Sequence, residues 1–384
     1  MSLETLPEEW DVVVVGAGVA GTVSASRLAR RGLSVLLTDK AQWPRHKACG
    51  GCINAAALRA LAAAGLADIS GAGPAYGQIH LACGRHQAVL ALPRGRALSR
   101  RRLDAMLADH AIAAGARFLP STQATLNAAD AGSRGVTLRC GDQRATVRAQ
   151  LVLASDGLGS RLLGQAASTQ LQVDEHSRIG VGTVVAAAPP FYQPGSIYMA
   201  CGAQGYVGLV RVEHDQLNIG AALDPAWVKR CGGPAAAVAQ TLQATAFPTF
   251  DALRAARWHG TPRLTQRRRR LGAERVLALG DAAGYVEPFT GEGMAWALVS
   301  AAAVEPLALA AAAGWRDELV DQWTARQAAL LRPRQRTCRA LSMALRRPRL
   351  VAALLPLLKV APMTVAPLTA WLNRDFEPGL EVDQ

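Results

Sequence analysis

Residues 11–40 read DVVVVGAGVAGTVSASRLARRGLSVLLTDK, and this stretch decides the fold. Asp11 to Val15 lead into Gly16, Gly18 and Gly21, spaced G-x-G-x-x-G. The valine run reads as a strand buried on both faces. A helical segment follows, with Val23, Leu28 and either Ala25 or Ala29 on its inner side, and a second strand over 34–38 ends at Asp39. In a dinucleotide site each part has a job. Gly16 permits the tight turn, Gly18 lets the backbone approach a pyrophosphate, and Gly21 lets helix pack on strand. The helix start offers partial positive charge to the phosphates, and the acid binds a ribose hydroxyl. The glycine pattern alone is weak evidence. Here a strand precedes it, a helix follows, and Asp39 stands 18 residues past the last glycine. A Gly-rich turn without a ligand is the competing reading, and the context disfavours it. The site does not choose between FAD and NAD.

A second informative stretch is RVLALGDAAGYVEPFTGEGMAWALVSA, 275–301. A buried strand over 276–279 delivers Asp281 to its C-terminal end, where ligands of α/β sheets bind. An acid there can hydrogen-bond sugar or ribitol hydroxyls. Pro288, Gly291 and Gly293 form a P-x-x-G-x-G turn into a helix over 293–313. Free N–H groups at that helix start suit a negative charge, such as that of a reduced flavin ring.

Between these stretches the pattern changes. We expect helices over 53–66 and from Ser99 to a cap at Gly115. Strands are expected at 117–119, 123–127, 135–140, 145–148 and 151–154. Residues 70–96 and 175–223 alternate in the β manner, and 224–245 reads as one helix starting at Pro225. The expected fold class is α/β: a discontinuous Rossmann-like dinucleotide domain (1–75, 97–170, 266–330), an inserted β-sheet substrate domain (76–96, 171–265) and C-terminal helices (331–384).

The net charge is +13, from 42 Lys+Arg against 29 Asp+Glu. That suits an anionic cofactor, an acidic partner or a lipid headgroup surface. With aromatics at 5% and no nucleic-acid motif, nucleic acid is not expected as a partner. Seven irregularly spaced cysteines and a polar, acidic start point to a reduced, cytoplasmic setting. No run of about 20 apolar residues is free of Pro and charge, so no spanning helix is expected.

These motifs resemble the flavoprotein group of geranylgeranyl reductases, aromatic-ring monooxygenases and flavin-dependent halogenases, over roughly residues 10–320. The resemblance implies FAD as cofactor and NAD(P)H as reductant. It implies an FAD site of Gly16, Gly18, Gly21, Asp39, Lys40 and Arg45. Arg100 joins them through an R-x-x-F/L-D pattern, Asp156 through DGLGS (156–160), and Asp281 through the Gly-Asp motif. Around the ring it implies Cys49, Gly50 and Gly51, then Pro288, Gly291, Glu292, Gly293 and Met294. The segment PRHKACGG (44–51) is closest to the geranylgeranyl reductase branch. That branch's Y-x-W-x-F-P signature is altered here: Tyr206 remains, Gly208 stands for the Trp, and Arg211-Val212 for Phe-Pro. The halogenase W-x-W-x-I-P segment is absent.

Candidate catalytic groups are Cys49, His46 and Tyr206, with Glu287 and Glu292 as further proton donors. Cys49-Gly50-Gly51-Cys52 invites a dithiol reading, but a Gly-rich loop shaping the flavin pocket is favoured, and no metal is expected. His46 can act as acid or base; a solvated loop histidine is the favoured account. The arginine-rich run 254–275 reads as a solvated face, or as a dock for an acidic carrier protein or an NADPH phosphate. Residues 346–372 join a basic patch to an apolar run, read as short packing helices. The alternative is a peripheral membrane contact or the mouth for a hydrophobic small-molecule substrate. The functional expectation is an FAD-dependent monooxygenase; the alternatives are an ene-reductase of prenyl or polyene double bonds and a noncatalytic flavin electron carrier.

Overall fold

The computed structural model describes residues 3–130, 132–164, 169–287 and 289–376. The strand Glu9–Val15 lies at the centre of the first sheet, flanked by Val35–Thr38 on one side and Gln143–Ala154 on the other, both parallel to it. Arg117–Leu119 extends the parallel array beyond Val35–Thr38, and Val276–Ala278 extends it beyond Gln143–Ala154. The chain goes one way from the first strand and later returns on its other side. That reversal opens a crevice at the C-terminal strand ends, where α/β sheets bind ligands. Val12, Val13, Val14, Leu151, Val152, Leu153 and Val276 are fully buried, as strands covered on both faces require.

Two expected strands, 145–148 and 151–154, are one strand, Gln143–Ala154. Its first half pairs antiparallel with Arg134–Cys140 and its second half parallel with Glu9–Val15, so its two halves carry different patterns. The single helix expected over 224–245 is two, Pro225–Arg230 and Pro234–Gln243. Gly232 and Gly233 break it with φ of 81° and 133°. The helices Ala55–Ala63 and Arg100–Ala113 start where Asn54 and Ser99 accept backbone N–H bonds from Ala57 and Arg102.

The second sheet runs His259–Arg263, Ile179–Val185, Leu217–Leu223, Gly205–Arg211, Ser196–Gly202, Ala75–Cys83, His86–Ala97 and Cys52–Ile53. It stands over the crevice. Cys52–Ile53 pairs with the end of His86–Ala97, so the loop after Asp39 enters this sheet directly.

The helices Val19–Arg30 and Gly293–Ala313 pack against each other over the first sheet. The latter is apolar and long enough to cross a membrane, but 72% of its most apolar window is buried inside the protein. A helix apolar all round belongs in a core. Trp323, on the helix Glu318–Ala344, donates Nε1–H to Ala278 O at 2.7 Å and ties that helix to a strand end. This helix runs across residue 331, where a segment boundary was expected.

Glu305, only 4% exposed, receives Arg27 and Arg31 from the glycine-motif helix. Glu305→Ala leaves both arginines without a partner at a helix–helix seam. It should cost about 2 kcal/mol of stability, seen in denaturant titration of the flavin-loaded protein.

Candidate functional site

The glycine turn is set by backbone contact. A Cβ on Gly16, whose φ is +103°, would stand 2.3 Å from Ser155 O, and one on Gly21 would stand 1.9 Å from Gly16 O. Gly18 differs: the nearest atoms to its Cβ position are Lys47 Nζ at 3.9 Å and Arg100 Nη2 at 4.0 Å. Gly18 thus faces open space below two cations, at a helix N-terminus. This cradle fits a pyrophosphate.

Arg100 is buried and held bidentate by Asp104 at 2.8 and 2.9 Å. Lys47 was not among the expected site residues, although it stands in the PRHKACGG segment. It faces the cavity. Burial, then the neighbouring Arg100 guanidinium, pulls its pKa below the usual lysine range, against the pull of Asp281 and Asp104.

Asp39 ends its strand with both oxygens engaged. Oδ2 accepts Ala17 N–H at 3.0 Å and pairs with Arg45 at 3.0 Å, while Oδ1 accepts Ala41 N–H. An acid fixed here beside the glycine turn fits a ribose, and Arg45 lies where it can be exchanged for a hydroxyl. Lys40 is exposed, and none of Asp39, Lys40 and Arg45 is among the residues that line the cavity.

A cavity of about 430 Å³ opens from this cradle. Asp281, in the turn after Val276–Ala278, lines it together with Gly291, Gly293 and Met294. Pro288 lies outside the described residues. Cys49, Gly50 and Gly51 form one wall; the opposite side is apolar, with Ile79, Leu81, Leu90, Leu92, Ile197 and Met199. Tyr285, also unexpected, stands beside the helix start: a Cβ on Gly293 would be 2.9 Å from its hydroxyl.

The Cys49–Gly50 wall rests on a row of glycines. Gly182 pairs with Gly220 across one strand boundary, and Gly220 pairs with Gly208 across the next. A Cβ on Gly220 would meet Cys49 and Gly50 backbone at 2.9 Å, and one on Gly182 would meet Ala48 Cα at 3.0 Å. Asn218 Nδ2 donates to Cys49 O at 2.9 Å and fixes the loop. Gly208 therefore belongs to a bare floor three strands wide. The glycines were legible singly; the row needed the strand register.

Tyr206 lines the cavity, edge-on to Phe289 at 5.1 Å, with the Arg178 guanidinium 5.6 Å from its ring centroid. Burial and then the Glu287 carboxylate hold its phenol pKa well above the ordinary range, so it stays protonated. Cys52 Sγ lies 3.5 Å from Gly50 O, and both cysteines of the pair are free thiols. Burial, then Cys49, pushes the Cys52 thiol far up, which disfavours thiolate chemistry.

Four expected groups point elsewhere. Glu292 is fully buried, but outside the cavity: Oε1 pairs with Arg334 at 2.9 Å and Oε2 receives Cys338 at 3.0 Å. Glu287 pairs with buried Arg178 at 2.8 Å. Asp156 Oδ2 accepts Arg161 and Leu162 N–H and caps a turn, but its Oδ1 is buried without a hydrogen-bond partner among the described residues, between Ser155 and Gly157, which line the cavity. His46 is exposed and stacks on His259 at 5.7 Å outside the cavity. Partial burial, then Arg101, His259 and Arg257, lower its pKa, so it is a neutral surface imidazole. The arginine run is likewise divided. Arg254, Arg257, Arg267 and Arg269 are exposed, but Arg268 is buried and donates to Ala282, Thr169 and Ser160 carbonyls. It is not one solvated face.

A family model described as an FAD binding domain matches residues 9–332. The menaquinone reductase of Mycolicibacterium smegmatis is 48% identical over 58 residues, 15% of this chain and 14% of that protein. A digeranylgeranylglycerophospholipid reductase of Methanosarcina mazei is 31% identical over 166 residues, 41% of this chain and 40% of that protein. The chain thus matches less than half the length of these relatives. Among solved structures, P. aeruginosa PqsL with 2-aminobenzoylacetate superposes with TM-score 0.72 at 18% identity, over 90% of this chain and 99% of that one. The flavin-dependent brominase Bmp2 superposes with TM-score 0.76 at 16% identity, over 95% and 93%. At such identities the likeness concerns the fold.

Two measurements test the cradle. Asp281→Ala should leave the circular dichroism unchanged while the purified protein loses most of its yellow colour; full flavin occupancy would exclude Asp281 as a cofactor ligand. A bound pyrophosphate favours protonated Lys47. FAD affinity should therefore fall as pH rises through the depressed Lys47 pKa, by up to about tenfold per pH unit. Lys47→Met should bind more weakly and remove that step.

Proposed function

The chain belongs to the FAD binding domain family, and from that premise we propose that it is an NAD(P)H-dependent monooxygenase that hydroxylates a hydrophobic or aromatic small molecule. Its coarser identity, an FAD-dependent oxidoreductase, is the family's. The observation that carries the finer reading is the apolar cavity running on from the cofactor cradle, with Gly208 where the resembling reductases have a Trp. The glycine row lets the flavin loop lie directly on the sheet, and Met199, 3.3 Å from a Cβ position on Gly208, makes the adjoining cavity wall apolar.

When bound, FAD supplies the electron transfer and oxygen chemistry. The chain's own residues do the rest. Lys47, Arg100 and the N-terminus of Val19–Arg30 meet the pyrophosphate; Asp39 and Asp281 meet sugar and ribitol hydroxyls. The start of Gly293–Ala313, with Gly291 and Gly293 leaving its N–H groups open, favours negative charge on the ring. Leu81, Leu90, Leu92 and Ile197 keep water away from the reacting atoms. Tyr206 holds a proton at its hydroxyl throughout the working pH range. The described residues contain no second nucleotide fingerprint, so NAD(P)H would meet the flavin directly.

A second reading is reduction of a carbon–carbon double bond. Two observations favour it: the short matches to the quinone and prenyl-lipid reductases, and a neutral phenol able to donate a proton to the second carbon.

The deciding experiment supplies NAD(P)H, isotopically labelled dioxygen and a panel of alkyl phenols and polyenes. The expected result is one labelled oxygen in the product for each NAD(P)H consumed. Turnover of an alkene at full rate without oxygen would replace this reading with the reductase. Flavin reduction without either product, but with electron delivery to an acceptor protein, would make the chain a carrier.

A further inference from the structure

The C-terminal segment carries an apolar surface that the fold does not cover. Ten large hydrophobic residues are exposed among the described residues, and six of them, Met343, Leu350, Leu354, Leu357, Val360 and Met363, fall within 21 positions. Leu350, Leu354 and Leu357 recur at the i, i+4, i+7 spacing of the helix Pro348–Val360 and form one face. The neighbouring face, with Val351, Leu355 and Leu358, packs on the second sheet. A helix apolar on both faces is normally buried, yet this one lies at the surface. At Val360, 86% exposed, the chain turns, and the helix pair Pro348–Val360 and Pro362–Leu372 is bent by 114°.

Charge says what the surface meets. From Arg339 to Arg374 the chain has six Arg or Lys and no Asp or Glu. Arg347 and Arg349 stand exposed at one end of the apolar face and Lys359 at the other. Long basic side chains flanking an exposed leucine stripe match an anionic lipid surface: the stripe enters the acyl boundary and the cations reach headgroup phosphates.

The inner side of the same hairpin belongs to the cavity. Leu358, Val365, Leu368 and Leu372 line it, together with Leu341 of the preceding helix, Gly18 and Tyr206. We propose that the C-terminal hairpin docks on an anionic bilayer and is the entrance through which an apolar substrate passes from the membrane to the flavin. The entrance half rests on the proposed apolar substrate; the docking half does not.

The test uses the full FAD-loaded protein and vesicles of phosphatidylcholine with or without phosphatidylserine. Flotation should be strong with the anionic vesicles, weak with the neutral ones, and reduced by salt. The triple variant Leu357→Glu, Val360→Glu, Met363→Glu changes exposed side chains that do not line the cavity. It should keep its flavin absorbance and lose at least about tenfold in partition. Arg347→Glu with Arg349→Glu should lose the preference for anionic vesicles. No flotation, or flotation unchanged in these variants, would overturn the docking. So would a stable dimer in solution that the triple variant dissolves, because a second copy would then cover the stripe. Vesicle binding is read without turnover, so it stands or falls apart from the reaction. Equal rates on a vesicle-dissolved substrate for the native protein and a triple variant that no longer floats would remove the entrance while leaving the docking.

Discussion

The structure depends on a contact between backbones at the end of the first strand. Gly16 lies against Ser155, and Gly21 against Gly16, at distances no Cβ allows. Ser155 Oγ donates toward Val15 O at 2.9 Å and Gly16 O at 2.7 Å, so the turn is bonded as well as packed. This weld fixes the glycine helix relative to Gln143–Ala154, and through that strand it fixes Val276–Ala278. Asp281 follows that strand. The glycine turn and Asp281, the two candidate ends of the cofactor site, are thus set by one contact between parts of the chain about 140 residues apart.

The weld also creates an electrostatic demand. Gly18 presents no side chain, and the space above it is bounded by Lys47 and Arg100, with the helix N-terminus below. Two cations facing the same space repel, which is part of why Lys47, half-buried beside buried Arg100, loses proton affinity. Asp104 offsets the charge of Arg100 through two hydrogen bonds, but it makes none to Lys47 among the described residues. A pyrophosphate carries the charge that completes this balance. Asp39 repeats the pattern at smaller scale, held by two backbone N–H groups and one exchangeable arginine.

Whatever depended on neighbours in sequence was legible beforehand. The strand–turn–helix at Gly16, the helix beginning at Ser99, the helix over 293–313 and the delivery of Asp281 to a strand end all follow from local pattern. What depended on tertiary partners was not. Glu292 sits in a loop aimed at the cavity, but its partner Arg334 is 42 residues away and turns its carboxylate aside. Asp156 gives one oxygen to the N–H groups of Arg161 and Leu162, and only the tertiary structure shows that its other oxygen is buried without a hydrogen-bond partner among the described residues. Lys47 was visible in PRHKACGG, yet nothing local says that its ammonium reaches over Gly18. Gly208 read as a lost aromatic; only the strand register makes it one of three glycines in a row.

The fate of Glu292 bears on the chemistry. A carboxylate at the start of a helix is normally favourable, because it neutralises the positive end of the dipole. Beside a ring that gains negative charge on reduction, that neutralisation would work against the bound group. Arg334 removes the conflict by pairing its charge with Glu292 Oε1; burial raises the Glu292 pKa, while the hydrogen bonds from Cys338 and Arg334 pull it the other way. The same guanidinium donates to Leu372 O and Arg374 O and lies 4.0 Å from the Phe376 ring centroid. The group that keeps the helix start positive toward the cavity is therefore also the group that fastens the end of the C-terminal hairpin. Displacing the hairpin would withdraw carbonyl acceptors from Arg334 and change the charge balance at Glu292, one residue before the helix that faces the ring.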